Sequence, residues 1–159
     1  MRKSVFAISI TILIFLACSP SQQQFKSLDS SSTGITFNNV IDELEEVNIL
    51  NYEYVYNGGG VAIGDLNGDN LQDIVFSGNM VENAVYLNKG NLRFEDVSEA
   101  SGIRSASRWS TGLTLVDINA DGLLDIYICS SGHKGVTDMS NLLFINQSSA
   151  TLGVEFEGL

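Results

Sequence analysis

After residue 34 the chain consists of short apolar runs separated by Gly, Asn and Asp. The runs are rich in Val, Ile, Leu, Tyr and Phe, and turn-forming residues bound each of them, which is typical of β-strands. The region 41–57 is less regular, because its acidic cluster at 42–46 could begin a short helix or form a solvated loop; we favour the loop. The pattern therefore predicts an all-β domain over residues 34–159.

A repeat organises these predicted strands. Residues 60–74 align without a gap with residues 112–126, at a constant offset of 52, and one Gly, three Asp, one Asn and one Ile recur in place. Each unit has the order strand, acidic loop, strand, turn, strand, turn, strand. Four strands in about 50 residues is the size of a propeller blade. The sequence therefore predicts a partial β-propeller of about two four-stranded blades.

The acidic loop of each unit has the pattern Asp-x-Asn-x-Asp-x-x-x-Asp. Calcium takes 6–8 oxygen ligands in proteins, and such a loop offers side-chain oxygens at positions 1, 3, 5 and 9 and a carbonyl at position 7. The predicted ligands are Asp65, Asn67, Asp69, the Leu71 carbonyl and Asp73 in the first loop, and Asp117, Asn119, Asp121, the Leu123 carbonyl and Asp125 in the second. Position 6 must turn sharply, which suits Gly122 and, as the next best residue, Asn70.

These loops have a plainer interpretation as turns that are closed by their own side chains and bind nothing. Two loops that agree at all four side-chain positions favour calcium, since three carboxylates within nine positions repel one another and call for a counter-ion. The loops differ from an EF-hand, because neither has Glu at position 12 and their flanks resemble strands. We therefore expect calcium as the cofactor.

The first residues are typical of an export signal. Arg2 and Lys3 precede an apolar run at 5–17, which is too short to cross a hydrocarbon core that takes about 20 helical residues. A buried N-terminal helix is the alternative. The run ends at Cys18, and residues 15–18 resemble the lipobox of bacterial lipoproteins, with Phe15 where Leu is usual. The resemblance implies a signal peptide over 1–17, lipidation of Cys18, a flexible Ser- and Gln-rich tether over 18–33, and anchoring to the bacterial cell envelope, at the outer membrane.

The charge of the chain excludes one class of partner. The formal net charge is −11, and it becomes −13 when Arg2 and Lys3 are removed with the signal. Nucleic acids bind surfaces that neutralise phosphates with Lys and Arg, so we expect no nucleic-acid partner. The other cysteine, Cys129, lies in a predicted strand and is expected to be a small buried apolar residue rather than a reactive thiol.

Several segments of the repeats resemble FG-GAP/VCBS repeats, which build integrin-type propellers and occur in many secreted bacterial proteins. The segments are 58–65, 86–90, 94–97 and 109–112, and together they resemble the subgroup that often carries an ASPIC/UnbV segment. The Phe-Gly…Gly-Ala-Pro motif of the family is not literally present, and Trp109-Ser110-Thr111-Gly112 stands in its place. The resemblance covers residues 34–159 and implies a calcium-binding propeller.

Two kinds of function fit these features. The first is a calcium-stabilised binding or adhesion module that is not an enzyme and whose partner is an extracellular protein or glycan. The alternative is the N-terminal part of a propeller-type enzyme that acts on polysaccharides, although no paired acid and base residues stand outside the loops. His133 is expected to be a solvated loop residue, and Trp109 is expected to pack within the blades rather than to stack on a sugar. Since a propeller closes with typically 4–8 blades, we also expect two blades to be an incomplete fold.

Overall fold

The computed structural model describes residues 25–104, 108–132, 138–149 and 154–158. The predicted signal peptide, Cys18 and His133 lie outside these residues. Within them the elements are α1 (Ser30–Thr33), β1 (Val61–Gly64), β2 (Asp73–Phe76), β3 (Ala84–Asn88), β4 (Phe94–Asp96), β5 (Trp109–Val116), β6 (Asp125–Ser131), β7 (Leu142–Asn146) and β8 (Phe156–Gly158). None of the helices in this part of the chain is long and apolar enough to cross a membrane.

The strands form two antiparallel sheets of four, in the orders β1-β2-β3-β4 and β5-β6-β7-β8. The all-β class is thus confirmed, and each sheet has the strand number predicted for one unit. The pairing register repeats as the sequence does: Gly64 lies opposite Asp73 in the first sheet, and Val116 lies opposite Asp125 in the second. Each residue of the second pair lies 52 residues after its equivalent in the first pair, so the repeat in sequence is also a repeat in structure.

The main core lies between the two sheets. Val75 and Val85 of the first sheet and Ile126 and Ile128 of the second are completely buried. They belong to one apolar cluster that also includes Leu66, Leu87, Ile103, Leu142, Phe144, Val154 and Phe156. Because successive side chains of a strand point to opposite faces, one face of each sheet supplies this core.

The two sheets contribute different faces to the core. Leu113 and Leu115 of β5 pack against the cluster, whereas the equivalent residues of β1, Val61 and Ile63, are 57% and 61% exposed. The inner face of the second sheet therefore corresponds to the outer face of the first. Part of that outer face is covered by the segment before the first sheet, in which Phe37 stacks on Phe76 at a centroid distance of 4.8 Å.

Alternation along β6 corrects one expectation. Cys129 was expected to be buried, but it is exposed as a free thiol. Ile126 and Ile128 point into the core, so Tyr127 and Cys129 point to the other face of the sheet. The run of apolar residues gave no sign that only one face of this strand would be covered.

The region 41–57 is a loop without helix or strand, as favoured from the sequence. It nevertheless contributes to a second apolar cluster, in which Val47 and Val55 pack with Trp109. Trp109 is 3% exposed and so packs within the structure, as expected. Further towards the N-terminus, the end of the expected tether forms the single turn α1, which Asp29 caps by accepting from the backbone N–H of Ser32.

Candidate metal-binding loops

The two acidic loops lie at equivalent ends of the two sheets. The first joins β1 to β2 and the second joins β5 to β6, so all ten predicted ligands lie in or next to these two connections. The structure therefore brings the residues of each predicted site into one loop and keeps the two sites on separate sheets.

The first loop is closed by hydrogen bonds between its own side chains and its own backbone. Asp65 accepts from the backbone N–H of Gly68 and of Asn70, both at 2.8 Å. Asn67 accepts from the backbone N–H of Asp69 at 3.0 Å and donates through its amide to Asp69 Oδ2 at 3.1 Å. Asp and Asn favour such turns because their short side chains reach the backbone two residues on.

The second loop repeats this arrangement. Asp117 accepts from the backbone N–H of Gly122 at 2.9 Å. Asn119 accepts from the backbone N–H of Asp121 at 3.1 Å and donates to Asp121 Oδ2 at 2.8 Å. Each of these bonds has its counterpart 52 residues earlier, so the two loops share one conformation.

Leu71 and Leu123, the predicted carbonyl ligands, are also equivalent in the structure. The backbone N–H of Leu71 donates to Asp69 Oδ1, and that of Leu123 donates to Asp121 Oδ1, both at 2.8 Å. These bonds fix the peptide units around position 7 of each loop in the same way.

The last Asp of each loop is completely buried and joins the loop to the next strand. Asp73 accepts from the backbone N–H of Leu66 at 2.9 Å and of Asn88 at 2.8 Å. Asp125 makes the equivalent bonds, as it accepts from the N–H of Ile118 at 2.9 Å and of Asn146 at 2.8 Å. Each carboxylate therefore closes its own loop and ties it to β3 or β7.

The backbone makes two sharp turns in each loop. Position 6 has the positive φ that the sequence predicted, 66° at Asn70 and 90° at Gly122. Position 4 also has a positive φ, 78° at Gly68 and 60° at Ala120, which sequence reasoning missed. The Gly at position 4 of the first loop was a usable signal, because only Gly adopts this conformation without steric cost.

The electrostatics of the first loop show carboxylates without a cationic partner. Burial raises the pKa of Asp73, two backbone hydrogen bonds oppose this effect, and the neighbouring charges of Asp69 and Asp65 raise the pKa further. Within the described part of the chain, the ion pairs join Lys89 to Glu95, Arg104 to Glu99 and Arg108 to Asp138. None of them includes a loop carboxylate.

The donor atoms of the two loops suit calcium. The side-chain donors are all oxygen atoms, which is what calcium takes in proteins. However, across residues 25–104, 108–132, 138–149 and 154–158, no three His, Cys, Asp or Glu side chains form a group that could hold a metal ion. The chemistry of the loops thus suits calcium, whereas binding would require their carboxylates to turn towards a common centre.

Asn146 is a residue that sequence reasoning missed. Its side-chain amide donates to the carbonyl of Leu66 in the first loop at 2.9 Å and to the carbonyl of Leu124 in the second loop at 3.0 Å. It is 1% exposed and therefore joins the two candidate sites through the core. The recurrence of Asn at the end of the third strand of each unit, at Asn88 and Asn146, was the available signal.

Comparison with known proteins supports the repeat assignment. Residues 65–128, which contain both acidic loops, match the family model described as FG-GAP-like repeat. The chain is also 32% identical over 72 residues to cartilage acidic protein 1 of Xenopus tropicalis. That alignment covers 45% of this chain and 11% of the relative, so the chain spans about a tenth of that protein's length.

Proposed function

We propose that the chain is a calcium-stabilised binding module of a bacterial cell-envelope lipoprotein, built from blades of an integrin-type propeller. The observation that carries the proposal is the pair of congruent acidic loops, each at the same end of a four-stranded sheet, within a segment that matches an FG-GAP-like repeat. The ASPIC/UnbV-type relationship and the lipid anchor at Cys18 belong to the same proposal.

Calcium would act on the repulsion within each loop. Asp65, Asp69 and Asp73 lie close enough for the first two to raise the pKa of the third. A divalent cation towards which these carboxylates turn would offset that repulsion and stabilise the folded state. At about 1 mM calcium and a dissociation constant of ~0.1 mM, typical of weak extracellular sites, each site adds roughly 1.4 kcal/mol to the free energy of unfolding.

Calorimetric titration of the full chain with calcium tests this proposal. We expect two ions to bind, Asp69→Ala to remove one and Asp121→Ala the other. Asp96→Ala is a matched control, because Asp96 accepts from the backbone N–H of Ser98 in a turn outside the loops, and it should leave both ions bound. A folded chain that gives no calcium heat would refute the calcium part of the proposal.

The binding role needs a separate test, because the relative is matched over only 11% of its length. We expect the module to retain an extracellular protein or glycan partner in calcium and to release it in chelator, since the partner surface depends on the calcium-stabilised sheets. Capture experiments with envelope extracts in both conditions measure this difference. Equal recovery in calcium and chelator from an intact folded chain would argue against calcium-dependent binding.

The anchor is tested at Cys18. Cells that are fed a fatty-acid probe should label the wild-type chain, and Cys18→Ala should abolish the label. A wild type that takes up no label, or a Cys18→Ala chain that remains labelled, contradicts lipidation at this residue.

A further inference from the structure

A cavity of 480 Å³ lies between the loop 52–59, the start of β5 and the end of β6. The acidic loops follow the C-terminal ends of β1 and β5, whereas the cavity lies before β1 and at the start of β5. The cavity is therefore at the opposite end of the sheets from the candidate calcium loops. Its volume falls in the roughly 300–1,000 Å³ range of small-molecule sites.

A break in the second sheet opens this cavity. The pairing of β5 with β6 shifts register between Ser110 and Leu113, so Thr111 and Gly112 leave the regular ladder at the cavity. The loop is fixed opposite this break, because the backbone N–H of Gly60 donates to the Thr111 carbonyl at 2.8 Å. Bulges of this kind are frequent beside functional sites, where they redirect side chains.

The adjacent glycines bring backbone rather than side chains to the cavity wall. A Cβ on Gly59 would lie 1.9 Å from the carbonyl oxygen of Ser77, so this position admits no side chain without a backbone shift. At Gly59 the wall of the cavity is thus held by close backbone packing in the folded chain.

The lining of the cavity includes a pair of hydroxyl groups. Ser131 and Tyr52 both line it, and Ser131 Oγ is hydrogen-bonded to the hydroxyl of Tyr52 at 3.0 Å. A hydroxyl group can donate one hydrogen bond and accept two, so this pair keeps the capacity to bond to a further group. The pair therefore offers hydrogen bonds to a polar ligand in the cavity.

An aromatic platform adjoins these hydroxyls. The ring of Tyr52 packs edge-on against Trp109 at a centroid distance of 5.4 Å and against Tyr54 at 6.0 Å. Trp109 is buried, whereas Tyr54 is 55% exposed. Because Tyr54 packs on Tyr52, and Tyr52 packs on the buried Trp109, the exposed ring surface of Tyr54 has a fixed position where a ligand can stack.

The charge of the lining selects the ligand. Among the described residues that line the cavity there is no Asp, Glu, Lys or Arg, although the formal net charge of the chain is −11. A second cavity of 430 Å³ shares Tyr52, Tyr54 and Ser131 with the first, so the surface continues beyond one binding unit, and the one charged residue that this cavity adds among the described residues is Glu53, which disfavours an anionic ligand. An extended ligand that is uncharged, with hydroxyl groups and an apolar ring face, matches these features.

We infer that this cavity binds one unit of a neutral oligosaccharide, which stacks on Tyr54 and hydrogen-bonds to the hydroxyl pair of Ser131 and Tyr52. The inference rests on the proposed function as a binding module, and it names the chemical class of the partner. It uses none of the calcium loop residues.

Calorimetric titration of the full chain with neutral hexasaccharides of glucose, xylose and mannose tests the inference, with a hexamer of galacturonic acid as the charged comparison. At least one neutral hexamer should bind, and the charged hexamer should bind at least tenfold more weakly. Tyr54→Ala should weaken binding at least tenfold and Ser131→Ala about fivefold, while Tyr54→Phe should retain it. Tyr56→Ala is the matched control, because Tyr56 is 59% exposed but does not line the cavity.

The outcomes separate this inference from the proposed function. A folded chain that binds no neutral hexamer, that prefers the charged one, or that loses affinity equally in Tyr54→Ala and Tyr56→Ala overturns the inference. If the chain binds no sugar but captures a protein partner, and Tyr54→Ala does not weaken that capture, the proposed binding module stands and the inference of an oligosaccharide site is overturned. Sugar binding in a chain that gives no calcium heat upholds the inference and refutes only the calcium part of the proposed function.

Discussion

Replacing Asn146 by Ala removes the side chain that joins the two acidic loops. In the wild type its amide donates to the carbonyls of Leu66 and Leu124, one from each loop. Its Oδ1 also accepts from the backbone N–H of Ser148 at 2.9 Å. Ala keeps the β7 backbone and leaves these three groups without their partner.

The expected cost follows from the burial of each group. The Leu66 carbonyl is buried, and a buried group that loses its partner costs about 1–3 kcal/mol. The bond to Leu124 is partly buried, and its loss adds about 0.5–1.5 kcal/mol. We therefore expect Asn146→Ala to lower the free energy of unfolding by about 2–4 kcal/mol, a large fraction of the 5–15 kcal/mol that is typical of a domain.

Asn88→Ala is the matched control, because Asn88 holds the equivalent place at the end of β3. Its amide donates to the carbonyl of Gln72 at 3.0 Å in an exposed bond, and its Oδ1 accepts from the backbone N–H of Gly90 at 2.8 Å. Both bonds are local to the first unit, and water can replace the exposed one, so the expected loss is about 0.5–1.5 kcal/mol.

Urea unfolding of the full chain measures both variants. With an m value of about 2 kcal/mol/M, a loss of about 3 kcal/mol moves the midpoint by about 1.5 M. Equal shifts for Asn146→Ala and Asn88→Ala, or a loss below about 1 kcal/mol for Asn146→Ala, would show that the bridge between the loops contributes little. An unchanged m value is required for this comparison, since a change in m would mean a change in the unfolded or folded ensemble.

Three further predictions concern the backbone and the exposed thiol. Gly60→Ala should lower the free energy of unfolding by about 1–3 kcal/mol in urea, because its Cβ would lie 2.9 Å from backbone atoms of β5. Gly64→Ala should cost less, because only the ends of flexible Leu side chains lie close to its Cβ. Equal costs for the two variants would contradict this argument. Ala120→Gly should stabilise the second loop and Gly68→Ala should destabilise the first, each by about 1 kcal/mol, because both positions have positive φ. Melting temperatures that change in the same direction in both variants would contradict this prediction. Cys129 should react with a maleimide in the native chain, because it is exposed, and protection until denaturation would show that its face of the sheet is covered.

The sequence was sufficient for the repeat and for the turn at position 6 of each loop. The offset of 52 predicted two equivalent four-stranded units, and both appear with equivalent register at Gly64 and Val116. Asp and Asn at fixed spacing predicted the turn at position 6, because local side-chain-to-backbone bonds determine it. Features of this kind depend on residues that are close in the chain.

Apart from the local turn at position 4 of each loop, three features that the sequence did not predict depend on residues that are distant in the chain. Cys129 is exposed because of what packs on each face of its sheet, which an apolar run does not indicate. The bridge from Asn146 to Leu66 spans 80 residues, and the aromatic cavity forms where the loop at Tyr52 meets β5 of the other unit. Tertiary packing decides all three, and a single sequence carries only weak signs of it.

The two outer faces of the molecule are not equivalent, because the two sheets contribute different faces to the core. Val61 and Ile63 are exposed on the first sheet, while their equivalents, Leu113 and Leu115, are packed inside the chain. A contact that continued this stacking would join two copies of the chain. The outer face of the first sheet of one copy would pack on the outer face of the second sheet of the other, which is a heterologous rather than a two-fold contact. Contacts of that type either return to their starting point as a ring or continue without end as a filament. The geometry between the two sheets, which sets the rotation from one unit to the next, therefore also determines which of these two assemblies the same contact would produce.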